Sequence, residues 1–195
     1  MAQPAQKYAT YQDVLDAPPN MVAEIIAGTL YTHPRPASRH AWASSRLGGA
    51  LDSPFNSGNG DSGGPDDPGS PGGWRIVFEP ELHLGDNVVV PDLGGWRRTS
   101  MPIYPDVPFF TLAPDWACEV LSPSTRQLDL GPKRNIYARE GVSHLWLVDP
   151  DAQTLEAFHL QKTGQWLLIA SLSENDQVSV SPFDAISFPL AKLWP

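Results

Sequence analysis

Three carboxylates lie in or beside segments that otherwise have the composition of buried β-strands. Glu24 lies within residues 22–26 (VAEII), Asp92 ends residues 88–92 (VVVPD), and Glu119 lies inside residues 116–121 (WACEVL). A buried carboxylate is costly unless it is paired with a cation or binds a metal ion. Carboxylate oxygens suit Mg²⁺ and Mn²⁺, and strands about 4.8 Å apart bring such side chains within reach of one ion. The pattern predicts a divalent-metal site, although each carboxylate alone also fits an ion pair or a solvated sheet face.

Lys133 is a basic residue whose position fits such a site, near the start of the helix expected after the Glu119 strand. A lysine beside a metal-bound water can position that water or neutralise charge on a phosphate. A solvated helix lysine is the alternative. Six of the 13 basic residues fall within residues 97–139 and fit either a phosphate-tracking face or separate surface charges. They are Arg97, Arg98, Arg126, Lys133, Arg134 and Arg139.

The histidines and the cysteine give weaker signals. His40 follows Ser38 and Arg39 at the start of an expected helix, where it fits a phosphate or metal contact and equally a packing role. The other histidines show no metal-ligand spacing, and we assign them no role. They are His33, His83, His144 and His159. Cys118, inside a strand, is predicted to be a small buried apolar residue.

The elements that must position these residues alternate between helices and strands. Thr10 with Asp13 resembles a capping box before a short helix, residues 21–32 are typical of a hairpin around Ala27 and Gly28, and Ser38 is expected to cap a helix to about Leu51. Further strands are predicted at 74–78, 88–92, 116–121, 143–148, 154–160 and 165–172. A helix capped by Asp129 and closed by Gly141, and a short one near 190–193, complete the pattern. This order predicts an α/β (α+β) fold with one mixed central sheet flanked by helices.

Residues 53–73 differ in composition from the rest of the chain. They are dominated by Gly, Pro, Ser, Asp and Asn, and they cannot bury enough apolar surface to offset the entropy lost on ordering. We predict a mobile loop inserted into a single domain that spans residues 1–195.

Charge and cysteine content restrict the class of protein. A net charge of −9 and a pI of about 4.8 argue against binding nucleic acid through bulk positive charge, but they permit an acidic metal site beside a local basic patch. A single cysteine excludes an internal disulfide and favours a reducing, cytoplasmic location. Without a secretory signal or an apolar run of roughly 20 residues, no membrane partner is expected.

Several stretches together resemble the Uma-type restriction endonuclease family. The most specific are residues 114–125 (PDWACEVLSPST), 133–142 (KRNIYAREGV) and 145–150 (LWLVDP). Residues 24–30 (EIIAGTL), 38–40 (SRH) and 90–93 (VPDL) also match, in the same order along the chain. The resemblance runs from about residue 8 to the C-terminus, and residues 53–73 stand out as an insertion.

The family resembles a branch of the PD-(D/E)XK nucleases, which implies a restriction-endonuclease-like mixed sheet and Mg²⁺- or Mn²⁺-dependent hydrolysis of phosphodiester bonds, with DNA as the expected substrate. Asp92 then takes the place of the motif aspartate, Glu119 that of the second acid, and Glu24 that of a glutamate on an early element. The motif lysine usually lies two residues after the acid, where this chain has Leu121. The resemblance therefore implies that Lys133 replaces it from the following helix.

The resemblance also ranks the remaining candidates. Asp115 precedes Glu119 by four residues and would share its side of the strand, so Pro114-Asp115 is a rival to Pro91-Asp92. The family pattern spreads its two acids over neighbouring strands, which favours Asp92 and leaves Asp115 either to support a ligand or to be an additional ligand. His40 matches a family histidine, and with Arg126 and Arg134 it is an expected substrate contact.

Two other functions stay open at this level. The acidic charge and the displaced lysine also fit a nuclease-fold module that binds nucleic acid or regulates without cleavage. Seven tryptophans permit a homodimer interface without singling one out. The choice between DNA and RNA likewise stays open.

Overall fold

The N-terminal third of the protein forms a capped helix, a hairpin and a longer helix, in a computed structural model that describes residues 8–34, 37–56 and 72–195. Helix α1 is Tyr11–Leu15, and the backbone N–H of Thr10 donates to the Asp13 carboxylate over 2.7 Å, which confirms the capping box. Strands β1 (Met21–Ile26) and β2 (Thr29–Pro34) form the predicted hairpin. Its turn residues, Ala27 and Gly28, have φ angles of 50° and 77°, the left-handed pair that tightens a two-residue turn. Helix α2 is Ser38–Leu51, and its cap is Ala37, so the predicted cap at Ser38 was displaced by one residue.

The remaining elements are mostly strands. Helical segments after α2 are a π-helical turn at Asp52–Asn56, α3 at Arg126–Leu128, a second π-helical turn at Asp129–Lys133, α4 at Arg134–Arg139 and a 3₁₀ turn at Leu190–Leu193. Strands β3 to β7 are Trp74–Phe78, Leu82–Leu84, Asn87–Val89, Leu93–Arg97 and Trp116–Val120. Strands β8 to β12 are His144–Asp149, Thr154–Leu160, Trp166–Ser173, Gln177–Val178 and Phe188–Pro189.

The main sheet has the order β10-β9-β8-β7-β6-β3 and is mixed, because β7 and β8 are parallel while the other neighbouring strands are antiparallel. A second, antiparallel sheet has the order β2-β1-β5-β4. The chain passes from this sheet to the main sheet between β5 and β6, through Pro91 and Asp92. The predicted α+β fold with a mixed sheet and flanking helices is confirmed.

Alternation along β7 separates the two faces of the main sheet. Trp116, Cys118 and Val120 pack in a core cluster with α2 and the C-terminal segment. Ala117 packs on the opposite face, in a second cluster that includes Tyr137 of α4. Because side chains alternate along a strand, Glu119 points to the face of Ala117, toward the helix that carries Lys133. One buried strand therefore supplies both a core and an acidic site.

Besides the cap at Ser38, three sequence predictions of element boundaries were wrong. The strand expected at 88–92 ends at Val89, since Pro91 has no N–H for a sheet ladder and the chain here changes sheets. Asp129 is not a helix cap, because a helical segment already begins at Arg126 and Asp129 lies one turn before Lys133. Residues 53–56 belong to a helical turn that buries Phe55, and residues 57–71 of the predicted loop lie outside the described residues. The single-domain span stays a prediction.

Within the described ranges, no helix is both long enough and apolar enough to cross a bilayer.

Gly94, the second residue of β6, gives a first test of the packing. A Cβ added there would lie 2.8 Å from Cγ of Pro80 and 3.3 Å from the Trp96 ring, both closer than normal contact. We expect Gly94→Ala to lower the free energy of unfolding by about 1–3 kcal/mol through overpacking. Gly131→Ala is the matched control, because nothing lies within 4 Å of its added methyl. That change should be neutral or stabilising by up to about 1 kcal/mol, and urea unfolding of both variants measures the contrast.

His144, buried at the start of β8, makes the fold sensitive to acid. Burial, the neighbouring His159 and Arg97 lower its pKa from 6.5 to about 4. The unfolded chain therefore takes up a proton first, so stability is full above pH 6.5 and falls as pH drops toward 4. We expect His144→Gln to remove about 1–2 kcal/mol of that pH-dependent loss, after allowance for solvent screening. Unfolding curves at pH 7, 5.5 and 4.5 test this, and equal pH slopes in both proteins would contradict it.

Candidate active site

A cavity of about 260 Å³ lies where the β1–β2 hairpin, the start of α2, the β5–β6 connection and the segment after β7 converge. Asp92, Glu119 and Lys133 line it together. Other polar residues of its wall are His33, His40, Glu79, Ser122, Ser124, Thr125 and Asp129. Residues distant in sequence thus share one cavity.

Asp92 is held at the entrance of β6. The next residue, Leu93, pairs with Cys118 across β6 and β7, which places Asp92 beside Glu119. Oδ2 of Asp92 accepts the Val120 backbone N–H over 2.7 Å, and Oδ1 lies 3.1 Å from Nε2 of His40. The carboxylate is therefore oriented by the neighbouring strand and by α2 while its side chain remains 14% exposed.

Glu119 is almost completely buried, at 2% exposure. Its Oε1 accepts the Tyr137 hydroxyl and lies 2.9 Å from Nζ of Lys133. Burial raises the pKa of Glu119 well above its ordinary value, and the carboxylates of Asp129, Asp92 and Glu24 add to this against the opposing charge of Lys133. A further cation beside this side chain would therefore stabilise its ionised form.

Lys133 is enclosed by carboxylates. Its Nζ lies 3.0 Å from Oε1 of Glu24, 2.9 Å from Oε1 of Glu119 and 3.4 Å from Oδ1 of Asp129. Burial acts to lower the pKa of this ammonium, but these carboxylates outweigh it and raise the pKa well above the usual value. Lys133 therefore stays protonated and cannot serve as a general base.

Glu24 lies behind the cavity wall. Its Oε1 accepts the Val90 N–H over 2.8 Å, and Oε2 lies 3.3 Å from Nε2 of His33. Burial acts to raise the pKa of Glu24, but Lys133, His33 and the Val90 N–H together lower it to about 2. Glu24 is thus a permanent anion that fixes Lys133 and the β5–β6 connection.

The structure brings together Asp92, Glu119, Lys133, Glu24 and His40. It places Asp115 elsewhere, at the start of β7, where its carboxylate accepts the Arg97 N–H and the Ser100 hydroxyl. The distance along β7 from Asp115 to Glu119 is roughly 13 Å at about 3.3 Å per residue. Asp115 is therefore not a ligand of this site in the observed arrangement.

The two candidate arginines do not line the cavity. Arg126 is exposed and forms an ion pair with Asp149, and Arg134 stacks over the Phe158 ring at 4.5 Å. Arg97 stacks over Trp74 at the far end of β6. These contacts favour separate surface charges over one basic face, and substrate binding by Arg126 and Arg134 stays a prediction.

Sequence reasoning missed the site roles of Asp129, Tyr137 and His33. Asp129 and Tyr137 lie four residues before and after Lys133, so the three occupy one face of the helical segment, and that spacing is a readable signal. His33 lies diagonally across the hairpin from Glu24, whose direct partner is Tyr31. Diagonal pairs on a sheet are within reach of long side chains.

The donor set fits a hard divalent cation. No group of three or more His, Cys, Asp and Glu side chains in the described ranges is preassembled around one point. Mg²⁺ needs no such cage, because it keeps several waters and binds through one or two carboxylates and substrate phosphate. Asp92 and Glu119 on paired strands, with excess negative charge around them, meet that requirement.

The mixed sheet thus carries two acids at one end of the adjacent strands β6 and β7, with a buried lysine beside them. The chain belongs to the Uma2 family, described as "Putative restriction endonuclease", whose model matches residues 6–191. This confirms the family resemblance.

A solved structure shares the fold. It is the crystal structure of a "putative nuclease belonging to DUF820" from Anabaena variabilis, similar with a TM-score of 0.73 and 22% identity over 95% of this chain and 97% of that one. At this identity the likeness concerns the fold alone. No curated protein matches the chain.

Proposed function

We propose that the protein is a cytoplasmic, Mg²⁺- or Mn²⁺-dependent endonuclease that hydrolyses phosphodiester bonds of DNA. The observation that carries the proposal is the placement of Asp92 and Glu119 on one cavity wall, beside a buried lysine. The family description supports DNA as the substrate class.

Asp92 and Glu119 would hold the metal ion. A bound Mg²⁺ lowers the pKa of a water and stabilises charge on phosphate oxygens. Asp92 faces the cavity in an orientation set by the Val120 N–H and His40. The Tyr137 and Lys133 contacts of Glu119 both engage Oε1, so we assign Oε2 to the ion.

Lys133 acts in this proposal as a positioning residue and as a source of positive potential. Its ammonium is committed to Glu24, Glu119 and Asp129, and it also donates to the Val90 carbonyl over 3.3 Å. Lysine has three N–H donors, so these contacts use its hydrogen-bonding capacity and leave none to orient a water. Its charge still offsets charge developing on a phosphate in the cavity.

The hydroxyls of Ser122, Ser124 and Thr125 would contact the substrate backbone. They form one hydrogen-bonded group along the wall, with oxygens 2.9 and 3.0 Å from that of Ser122. Hydroxyl groups commonly position phosphates without reading sequence. This assignment needs no basic face and agrees with the net charge of −9.

Cleavage of plasmid DNA, single-stranded DNA and RNA, each in Mg²⁺, Mn²⁺ and EDTA, tests the function. We expect DNA cleavage with either metal and none in EDTA. Nucleic-acid binding without cleavage in either metal would contradict the enzyme and favour a non-cleaving binding module. Metal-dependent cleavage of RNA but not of DNA would support the metal site and contradict DNA as the substrate.

A further inference from the structure

Two histidines without a role in the cavity face each other on the main sheet. His144 of β8 and His159 of β9 are direct partners in the antiparallel pairing. Nε2 of His144 lies 3.3 Å from Nδ1 of His159 and 3.2 Å from the hydroxyl oxygen of Ser181. Nε2 of His144 thus contacts two other potential ligand atoms.

The separation of the two nitrogens fits a shared metal ion. Ligands at about 2.0–2.1 Å from a tetrahedral Zn²⁺ lie roughly 3.3–3.4 Å from each other. The observed 3.3 Å between Nε2 of His144 and Nδ1 of His159 matches this ligand–ligand distance. It is long for a hydrogen bond between two ring nitrogens. The rings are inclined by 47° with centroids 4.8 Å apart, so neither stacks on the other.

The surroundings hold these groups in place. His144 is buried, whereas His159 is exposed and leaves a path for an ion from solvent. The Trp146 indole N–H donates to the Ser181 carbonyl over 3.1 Å, which fixes the third group against the sheet. Ligands on paired strands are held more precisely than ligands on loops.

We propose that His144 and His159, with Ser181 beside them, bind one borderline divalent transition ion such as Zn²⁺. The site is separate from the acidic cavity, because His144 pairs with Trp116, three residues before Glu119 and roughly 10 Å away at about 3.3 Å per residue. Imidazole selects Zn²⁺, Ni²⁺ and Cu²⁺, whereas carboxylates select Mg²⁺ and Mn²⁺. The ion would join β8, β9 and the Ser181 segment, and so stabilise the folded state by binding it alone.

Calorimetric titration of the full chain with ZnCl₂, in excess Mg²⁺ to occupy carboxylates, tests the proposal. We expect one Zn²⁺ per chain and a rise in Tm with Zn²⁺. His159→Gln should weaken Zn²⁺ binding by at least about tenfold. Loss of a contact that supports a metal ligand already lowers metal affinity by about this factor, and loss of the ligand itself should lower it at least as much. His159 is exposed, so this variant should keep its metal-free Tm.

His83→Gln is the matched control, because His83 pairs with Glu81 and stacks on Phe109 away from the histidine pair. It should bind Zn²⁺ like the wild type. Absence of Zn²⁺ binding in the wild type, or equal affinity in the wild type and His159→Gln, would overturn the proposal. Neither outcome depends on cleavage activity.

Discussion

Asp92→Asn is expected to reduce DNA cleavage by about 10³-fold or more while leaving the fold intact. The amide oxygen of the new side chain can still accept the Val120 N–H, so the β6–β7 contact survives. What disappears is the negative charge that would hold the metal ion and thereby stabilise charge on the phosphate. Initial rates on plasmid DNA in Mg²⁺, with Tm measured alongside, give both quantities.

Asp115→Asn is the matched control for this prediction. Its carboxylate contacts the Arg97 N–H and the Ser100 hydroxyl at the opposite end of β7. It should retain cleavage within a few fold of the wild type, a change far smaller than loss of a charge-stabilising group. A large loss in Asp115→Asn with normal activity in Asp92→Asn would move the site to the rival Pro-Asp pair.

Lys133→Met is expected to destabilise the protein strongly. Methionine retains much of the apolar stem but removes the ammonium that pairs with Glu24, Glu119 and Asp129, in a side chain only 3% exposed. Removing one partner of a buried ion pair costs about 3–5 kcal/mol, because charge is left without compensation. Urea unfolding at pH 7 measures this loss. Lys162→Met is the control, because Lys162 is exposed and its replacement should change the free energy of unfolding by close to zero.

The pH dependence of the same variant separates charge from packing. Without Lys133, burial and the neighbouring carboxylates hold the pKa values of Glu119 and Asp129 above their ordinary values. Such groups stabilise the fold below the unfolded pKa and lose that contribution as pH rises through the folded pKa. The defect of Lys133→Met should therefore shrink as pH falls from 7 toward 5. A defect that is constant with pH would show that packing, and not charge, causes it.

Local sequence patterns predicted the elements of this fold that depend on interactions between neighbouring residues. The capping box at Thr10 and the hairpin turn at Ala27-Gly28 depend on neighbouring residues, and both are present. Strand β6 was missed because Gly94 and Gly95 carry no strand propensity of their own. Their small size instead leaves room for the rings of Trp74, Trp96 and Trp116 in the same sheet, which is a property of the tertiary structure.

The candidate site was predictable in its acids and not in its contacts. Carboxylates in or beside apolar strands point to Glu24, Asp92 and Glu119, and the resemblance assigns motif roles to these acids and to Lys133. The ion pair between Lys133 and Asp129 forms because both residues lie in one helical segment, four residues apart. The sequence instead predicted that the helix begins at Asp129 itself. His144 and His159 are fifteen residues apart, and only the register of β8 and β9 brings them together.

Binding of Mn²⁺ to the wild type, Glu119→Gln and Asp115→Asn tests the central claim, that Asp92 and Glu119 together hold a divalent ion. Replacing Glu119 by glutamine keeps the size of the side chain and removes its charge, and Tm measured alongside shows whether loss of the Lys133 ion pair leaves the variant folded. We predict Mn²⁺ binding in the wild type and Asp115→Asn, with at least a tenfold weaker affinity, about 1.4 kcal/mol, in Glu119→Gln. Equal Mn²⁺ affinity in all three proteins, or none in the wild type, would contradict the account.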